Sequence, residues 1–326
     1  MTVLVTGAAG FIGFHLARAL LENGREVVAI DNLNDYYEVT LKKARLDQLS
    51  SQSGFTFYQL DIADQSGMEK LVADHPEITG VLHMAAQAGV RYSLENPMAY
   101  AETNLQGQVQ LLEVCRRLKK MEHFVFASSS SVYGGRKDLP FSVEDRTDKP
   151  VSLYATTKRS GELMCYSYAH LYDMPVTALR FFTVYGPWGR PDMAYYMFTR
   201  DVLAGKPMNV FNNGEMRRDF TYIDDVTRGV LSCLKSPPQR DQDDAPFAMY
   251  NIGNNRSENL MDFIAVIEKE TGKKAEIDFQ PMQPGDVKET FADIESAKQD
   301  FGFDPVTGIA EGLPNFIKWY RDYYDT

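Results

Sequence analysis

Short apolar runs alternate with longer segments of helical period through the first 180 residues of the chain. The runs at 2–6, 26–30, 55–59, 80–83, 123–127 and 176–180 read as strands. Several are continuous and rich in Val, Ile, Leu and Phe, the pattern of strands covered on both faces of a parallel sheet. Between them, residues 11–23, 38–49, 67–73, 98–119 and 154–172 repeat apolar positions at helical spacing. Strand, helix and strand in succession, with right-handed crossovers, predict an α/β fold: a doubly wound parallel sheet of Rossmann type.

After Arg180 the alternation breaks down. Pro and Gly crowd into Gly186-Pro187-Trp188-Gly189-Arg190-Pro191 and again around 281–285, and the helical pattern returns only at 224–234, 259–271 and 309–323. This predicts a doubly wound sheet domain over 1–183 and a smaller, irregular domain over 184–326, with interleaving segments allowed. The polar stretch 237–244 reads as an exposed loop. There is no internal repeat and no low-complexity tail.

Size and composition narrow the classes. A chain of 326 residues with 44% hydrophobic and 24% charged residues reads as an ordinary globular protein of one large or two modest domains. Its formal charge of −11 argues against a general nucleic-acid or anionic-membrane binder. The three cysteines are far apart and the histidines show no ligand spacing, so neither a disulfide framework nor a metal site is expected. No apolar run approaches the roughly 20 residues a membrane span needs, and a cytoplasmic location is the expectation.

Two motifs carry chemistry. The first is Gly7-Ala8-Ala9-Gly10-Phe11-Ile12-Gly13, directly after Val3-Leu4-Val5. Glycines in a strand-to-helix turn let backbone approach a pyrophosphate, whose charge meets free amides at the helix start, and Gly13 lets the helix pack close to the sheet. Asp31 closes the second strand, where a carboxylate takes the adenosine ribose hydroxyls and repels a 2′-phosphate, which favours NAD over NADP. Asp61 and Ile62 end the third strand beside the expected adenine. His83-Met84-Ala85-Ala86-Gln87-Ala88-Gly89 ends the fourth, with small residues suited to close approach of a ligand.

The second motif is Tyr154-Ala155-Thr156-Thr157-Lys158, preceded by Ser128-Ser129-Ser130-Ser131. Tyr154 and Lys158 fall on one helix face. A tyrosine with a pKa of about 10 is a poor base until a nearby cation stabilises its phenolate. Ser129 ends the fifth strand and can hydrogen-bond the same substrate hydroxyl.

The glycine turn, Asp31, Asp61, the segment from His83 to Gly89, the serine run with Val132-Tyr133-Gly134, and the Tyr154–Lys158 motif together resemble the extended short-chain dehydrogenases/reductases that modify nucleotide sugars. Gly89-Val90-Arg91-Tyr92-Ser93, the block from Arg180 to Ala194, Arg217-Arg218-Asp219-Phe220-Thr221-Tyr222 and Pro281-Met282-Gln283-Pro284-Gly285-Asp286-Val287 are most similar to UDP-glucuronate 4-epimerases. The resemblance implies catalysis by Tyr154, Lys158 and Ser129. It extends the NAD-binding set of Gly7, Gly10, Gly13, Asp31, Asp61, Ile62, Ala85, Ala86, Gln87, Tyr154 and Lys158 to Phe11, Ile12, Asn32, Asn104 and Tyr185. It places Arg91, Ser129, Ser130, Ser131, Tyr154, Thr183, Arg190, Arg218 and Asp286 on a UDP-sugar. Arg218 and Arg190 are the candidate diphosphate forks. A homodimer through a four-helix bundle of 98–119 and 154–172 is implied too.

Two departures sharpen the subtype. Related 4,6-dehydratases carry Asp-Glu just after the reacting hydroxyl residue, and related decarboxylases carry a Glu before Val-Tyr-Gly; here those places are Ser130 and Ser131. Galactose-type epimerases place Asn where this chain has Thr183, and Arg where it has Gln283. A uronate oxidised at C4 is a β-keto acid, which loses carbon dioxide when its C5–C6 bond aligns with the carbonyl π system. Thr183 with Ser129, Ser130 and Ser131 is expected to hold the carboxylate against that alignment. The competing readings are a UDP-glucose/UDP-galactose or N-acetyl-hexosamine 4-epimerase, a UDP-glucuronate decarboxylase or 4,6-dehydratase of the same fold, and a non-catalytic NAD-sensing regulator.

Overall fold

The computed structural model describes residues 1–240, 245–282 and 287–326. Its central sheet starts from β1 (Thr2–Thr6), β2 (Glu26–Asp31) and β3 (Phe55–Gln59), continues with β4 (Ile78–His83), β5 (His123–Ser129) and β6 (Val176–Phe181), and ends with a seventh strand, Phe247–Ile252. Alternate residues feed opposite layers. Val3, Val5, Val27, Ala29, Leu82, Val125 and Leu179 pack into one apolar cluster. Leu4, Val28, Ile30, Val81, Phe124, Phe126 and Ala178 pack into the other. That two-sided burial is why these strands read as continuous apolar runs.

Every pair in the sheet is parallel, in the order seventh strand, β6, β5, β4, β1, β2, β3. The chain winds outward from β1 to β3, then returns to lay β4 against the other side of β1. The crevice between the carboxyl ends of β1 and β4 is therefore the topological switch point, where ligands bind in such sheets.

Local signals set the flanking helices. Asp64 accepts from the Gly67 amide to start Gln65–Asp74, and Ser152 accepts from the Ala155 amide at 3.1 Å to start Leu153–Tyr172. Asp173, in a left-handed conformation, ends the latter. The predicted helix over 98–119 is less uniform than its pattern suggests. A turn at Pro97–Tyr100 runs through a widened helical segment, Ala101–Gly107, into Gln108–Cys115, and stops before the lysines.

Beyond β6 the alternation continues in pieces too short to show a period. Thr183–Tyr185 pairs with Phe220–Tyr222, and Met208–Phe211 pairs with Ile277–Gln280, both in parallel. Arg217–Arg218 pairs antiparallel with Glu258–Asn259. The predicted helices appear as Ile223–Leu234, Leu260–Thr271 and Ile309–Tyr324, joined by two the sequence pattern did not reveal, Ala194–Ala204 and Glu295–Phe301. An aromatic core of Tyr185, Tyr195, Phe220, Phe263 and Phe316 fills this region, with Phe220 stacked on Phe263. In the expected polar loop, Arg240 pairs with Asp173, and 241–244 lie outside the described residues. Among the described residues no helix is long and apolar enough to cross a membrane.

Candidate active site

One cavity of about 780 Å³ is lined both by residues of the switch point, among them Gly7, Asp31 and Ala85, and by residues of the second region of the chain, among them Phe211, Arg218 and Thr290. Its floor is the glycine turn. Gly7 has φ +69°, and a Cβ there would lie 2.7 Å from the Ala85 amide nitrogen. A Cβ on Gly13 would lie 2.1 Å from the Gly7 carbonyl oxygen. Only glycine lets β1, the following helix (Phe11–Glu22) and the Ala85 strand end converge so tightly. That helix begins at Gly10 with no side-chain cap and no acidic residue in its first turn, so its first amides remain available to an anion.

Asp31 is held by two main-chain amides: Ala9 donates to Oδ2 at 3.1 Å and Leu33 to Oδ1 at 2.9 Å. Burial pushes its carboxyl up, opposed by the nearby Lys42 ammonium. Asn32 donates to the Asp61 carboxylate at 2.7 Å, so the ends of β2 and β3 are tied at the cavity edge. Asp31, Asn32, Asp61, Ile62, Ala85, Ala86, Gln87, Phe11 and Ile12 all line the cavity. This cradle, which a Cβ would fill, fits a dinucleotide with a free ribose diol. Asn104 stands behind it: its side chain accepts from the Gln87 amide at 2.8 Å and donates to the Gln87 carbonyl at 3.0 Å. It fixes the wall without lining it.

The reacting groups meet across β5. Lys158 Nζ donates to the Ala127 carbonyl at 2.8 Å and lies 5.1 Å over the Phe126 ring. Burial pushes this ammonium down to about 7. Burial pushes the Tyr154 phenol up, opposed by a hydrogen bond with Ser129 and by the Arg190 charge. Ser129 Oγ lies 3.1 Å from Ser131 Oγ and accepts from the Ser131 amide. Ser130 and Ser131 line the same wall, and Thr183 joins the cavity from the strand after β6.

Three arginines also line the cavity, Arg190 close enough to the reacting groups for its charge to act on Tyr154. Arg190 pairs with Asp192, Nε to Oδ1 at 3.0 Å, and Tyr36 donates to the same carboxylate at 3.0 Å. Burial pushes the Asp192 carboxyl up, but the Arg190 charge and these hydrogen bonds more than offset it, and the net direction is down. Arg91 lies 4.6 Å over the Phe211 ring, and Arg218 donates to the Arg217 and Lys288 carbonyls. Both line the cavity. Asp286, like Gln283, lies outside the described residues. Tyr185 does not reach the cavity wall. Its hydroxyl donates to the Gly308 carbonyl at 3.0 Å, and its ring packs against Tyr195, Tyr222 and Phe263.

Sequence reasoning missed Tyr36, Lys42 and Arg45. Arg45 is fully buried and donates to the Ala9, Trp188 and Gly189 carbonyls, tying the glycine turn to the Pro/Gly-dense block. These cations lie on Val39–Ser50, where Lys42 and Arg45 are buried alongside Leu41, Leu46 and Leu49, so the apolar positions alone did not mark them as buried. Among the described residues no group of three or more His, Cys, Asp or Glu side chains could hold a metal ion.

A glycine turn at the switch point of a seven-stranded parallel sheet, with a tyrosine–lysine pair one strand away, places the molecule among the extended short-chain dehydrogenases/reductases. Comparison narrows this: residues 3–253 match the family described as the NAD dependent epimerase/dehydratase family, and the chain belongs to it. It is 50% identical to an uncharacterised Escherichia coli O111:H- protein, covering 99% of both chains. It is 46% identical to UDP-glucuronate 4-epimerase 1 of Arabidopsis thaliana, covering 99% of this chain and 77% of that one. Its fold superposes with a TM-score of 0.91 on the Bacillus cereus UDP-glucuronic acid 4-epimerase crystallised with UDP-glucuronic acid and NAD. That protein is 37% identical, with 99% of this chain and 100% of that one covered.

Proposed function

We infer that this chain interconverts UDP-glucuronate and UDP-galacturonate by inversion at C4, using bound NAD. One observation carries the reading. The Tyr154–Lys158–Ser129 cluster and the hydroxyls of Ser130, Ser131 and Thr183 line one cavity continuous with the glycine cradle. The relatives named for this activity support it.

Bound NAD supplies an acceptor for the C4 hydride that returns it within the same turnover. The chain's own groups do the rest. Tyr154 takes the C4 hydroxyl proton and gives it back; burial disfavours its phenolate, the Ser129 hydrogen bond and the Arg190 charge oppose that, and the Lys158 ammonium one helical turn on is the cation assigned to stabilise it. Ser129 hydrogen-bonds the same oxygen. Ser130, Ser131 and Thr183 hold the C6 carboxylate as a charged group, and Arg190, Arg218 and Arg91 meet the diphosphate and sugar. Asp31 takes the adenosine ribose diol. Ser130 and Ser131 are hydroxyls where the elimination and decarboxylation branches carry carboxylates, which disfavours those reactions here.

Incubating the purified protein with UDP-glucuronate and no added NAD is expected to yield UDP-galacturonate with its carboxyl intact, resolved by anion-exchange chromatography. A pentose nucleotide as main product, or no conversion, overturns the reading.

The assembly we propose is a homodimer through a bundle of two helices from each copy. Helix Leu153–Tyr172 packs beside the 97–115 stretch through Gln108, which donates to the Gly161 carbonyl at 3.0 Å. The outer surfaces of these helices expose Met98, Val109 and Leu163, three large apolar side chains. Leu163→Asp is expected to give monomers by sedimentation velocity; an unchanged dimer rejects this face. The three cysteines are buried and free, which suits a reducing, cytoplasmic setting.

A further inference from the structure

Behind the reacting wall lies a charged cluster that the proposed chemistry does not use. Glu162 and Arg180 are each 1% exposed. They form a two-pronged pair, Arg180 Nε to Oε1 at 2.8 Å and Nη2 to Oε2 at 3.0 Å. Arg159 adds a third donor at 2.9 Å, and Ser128 Oγ donates to Glu162 Oε1 at 2.6 Å. On the far side the Arg180 guanidinium lies 4.8 Å over the Tyr133 ring, and the Tyr133 hydroxyl donates to Asn251 at 2.7 Å.

The placement is specific. Ser128, Arg180 and Asn251 occupy one rung across β5, β6 and the seventh strand. Glu162 sits one helical turn beyond Lys158, so successive turns of Leu153–Tyr172 grip successive residues of β5: Lys158 holds the Ala127 carbonyl, and Glu162 holds the Ser128 hydroxyl. The next residue on that strand is Ser129. Three residues beyond Arg180, just past the end of β6, is Thr183, the first residue of the next strand. One carboxylate thus fastens the helix bearing Tyr154 and Lys158 to β5, which leads into the serine wall, and to β6, which leads into the strand bearing Thr183.

A buried ion pair is a poor stabilising device, since apolar packing of equal volume does as well or better. Its directional bonds fix register where apolar contacts slide. We propose that Glu162, acting through Ser128 and Arg180, is a positioning residue that sets the spacing between the serine wall and Thr183 and thereby holds the substrate carboxylate against loss. The proposal rests on the UDP-uronate reading given above.

The chemistry supplies a readout beyond rate. In the 4-keto uronate, a carboxylate that swings out of the ring plane aligns the C5–C6 bond with the C4 carbonyl. That bond then breaks and carbon dioxide leaves. The bonding electron pair moves into the C4 carbonyl as an enolate, and C5 takes up a proton to give a 4-keto pentose nucleotide. A loosened wall therefore shows itself as leakage of carbon.

Removing Glu162 would leave a buried guanidinium uncompensated, so the test is made at Ser128. Wild type, Ser128→Ala and Ser128→Thr are incubated with UDP-glucuronate, and the UDP-sugars and released carbon dioxide are measured. Ser128→Ala is expected to lower kcat on the order of tenfold with a smaller change in KM. It is also expected to raise the share of decarboxylated product several-fold over wild type, counted as 4-keto pentose plus the pentose formed when the hydride returns to that ketone, on the same argument of misplacement. Ser128→Thr, which keeps a hydroxyl for Glu162, is expected to restore both. A wild-type product ratio in Ser128→Ala, with or without a lower melting temperature, overturns the positioning role. So does a threonine variant as leaky as the alanine one. Failure of the wild type to epimerise overturns the functional reading instead.

Discussion

Tyr154→Phe is expected to lower kcat by about 10³-fold, the usual weight of a positioned acid–base group, while binding of NAD and UDP-glucuronate stays within a few-fold of wild type on that same argument. The ring's environment supports a clean substitution. Tyr154 lies edge-on to Tyr100 and beside Ser129, and phenylalanine keeps that packing while removing only the oxygen. The measurement is the initial rate of epimer formation together with the nucleotide content of the purified protein. Retained turnover would remove the phenolate from the mechanism. A lost cofactor would show that the hydroxyl serves binding.

Gly13→Ala is expected to yield protein without bound dinucleotide and without activity. The added methyl would stand 2.1 Å from the Gly7 oxygen and 2.8 Å from its carbonyl carbon, both backbone atoms of the turn itself. No side chain can move aside to relieve that contact. Overpacking of this kind costs roughly 1–3 kcal/mol, and here the relief must come from opening the loop that receives the pyrophosphate. Gly308→Ala is the control, because a Cβ there meets nothing within 4 Å and its φ of −83° suits any residue. Absorbance of the purified proteins near the adenine band, with their melting temperatures, checks both. A Gly13→Ala protein that retains dinucleotide would mean that the seat lies elsewhere in the cavity.

The sheet was legible where strands are long and doubly buried. Val3-Leu4-Val5 directly before a glycine turn leaves little choice. The seventh strand was not legible, because Phe247, Ala248, Met249 and Tyr250 are only half-buried at the sheet edge and the run mixes apolar with polar residues. Strands of two to four residues after β6 carry too few positions for a period to emerge. In the site, the glycine turn, Asp31, Ser129, Tyr154 and Lys158 stand out because each has a local signature. Tyr36 and Asp192 do not: they meet across 156 residues of sequence, and nothing local to either announces the other. The family resemblance implies that Tyr185 binds the cofactor. Side chains on so short a strand gave no way to tell that its hydroxyl turns to Gly308.

The late arrival of the seventh strand shapes how the chain is made. β6 is complete at Phe181, yet its outer partner begins only at Phe247. During synthesis at roughly 5–20 residues/s, that apolar edge stays open for several seconds after the rest of the sheet has emerged. An open edge of this kind invites pairing with another nascent chain. Slowing translation between these two points should therefore raise the share of product lost to aggregates, and fragments that end before residue 247 should need a chaperone to stay dispersed.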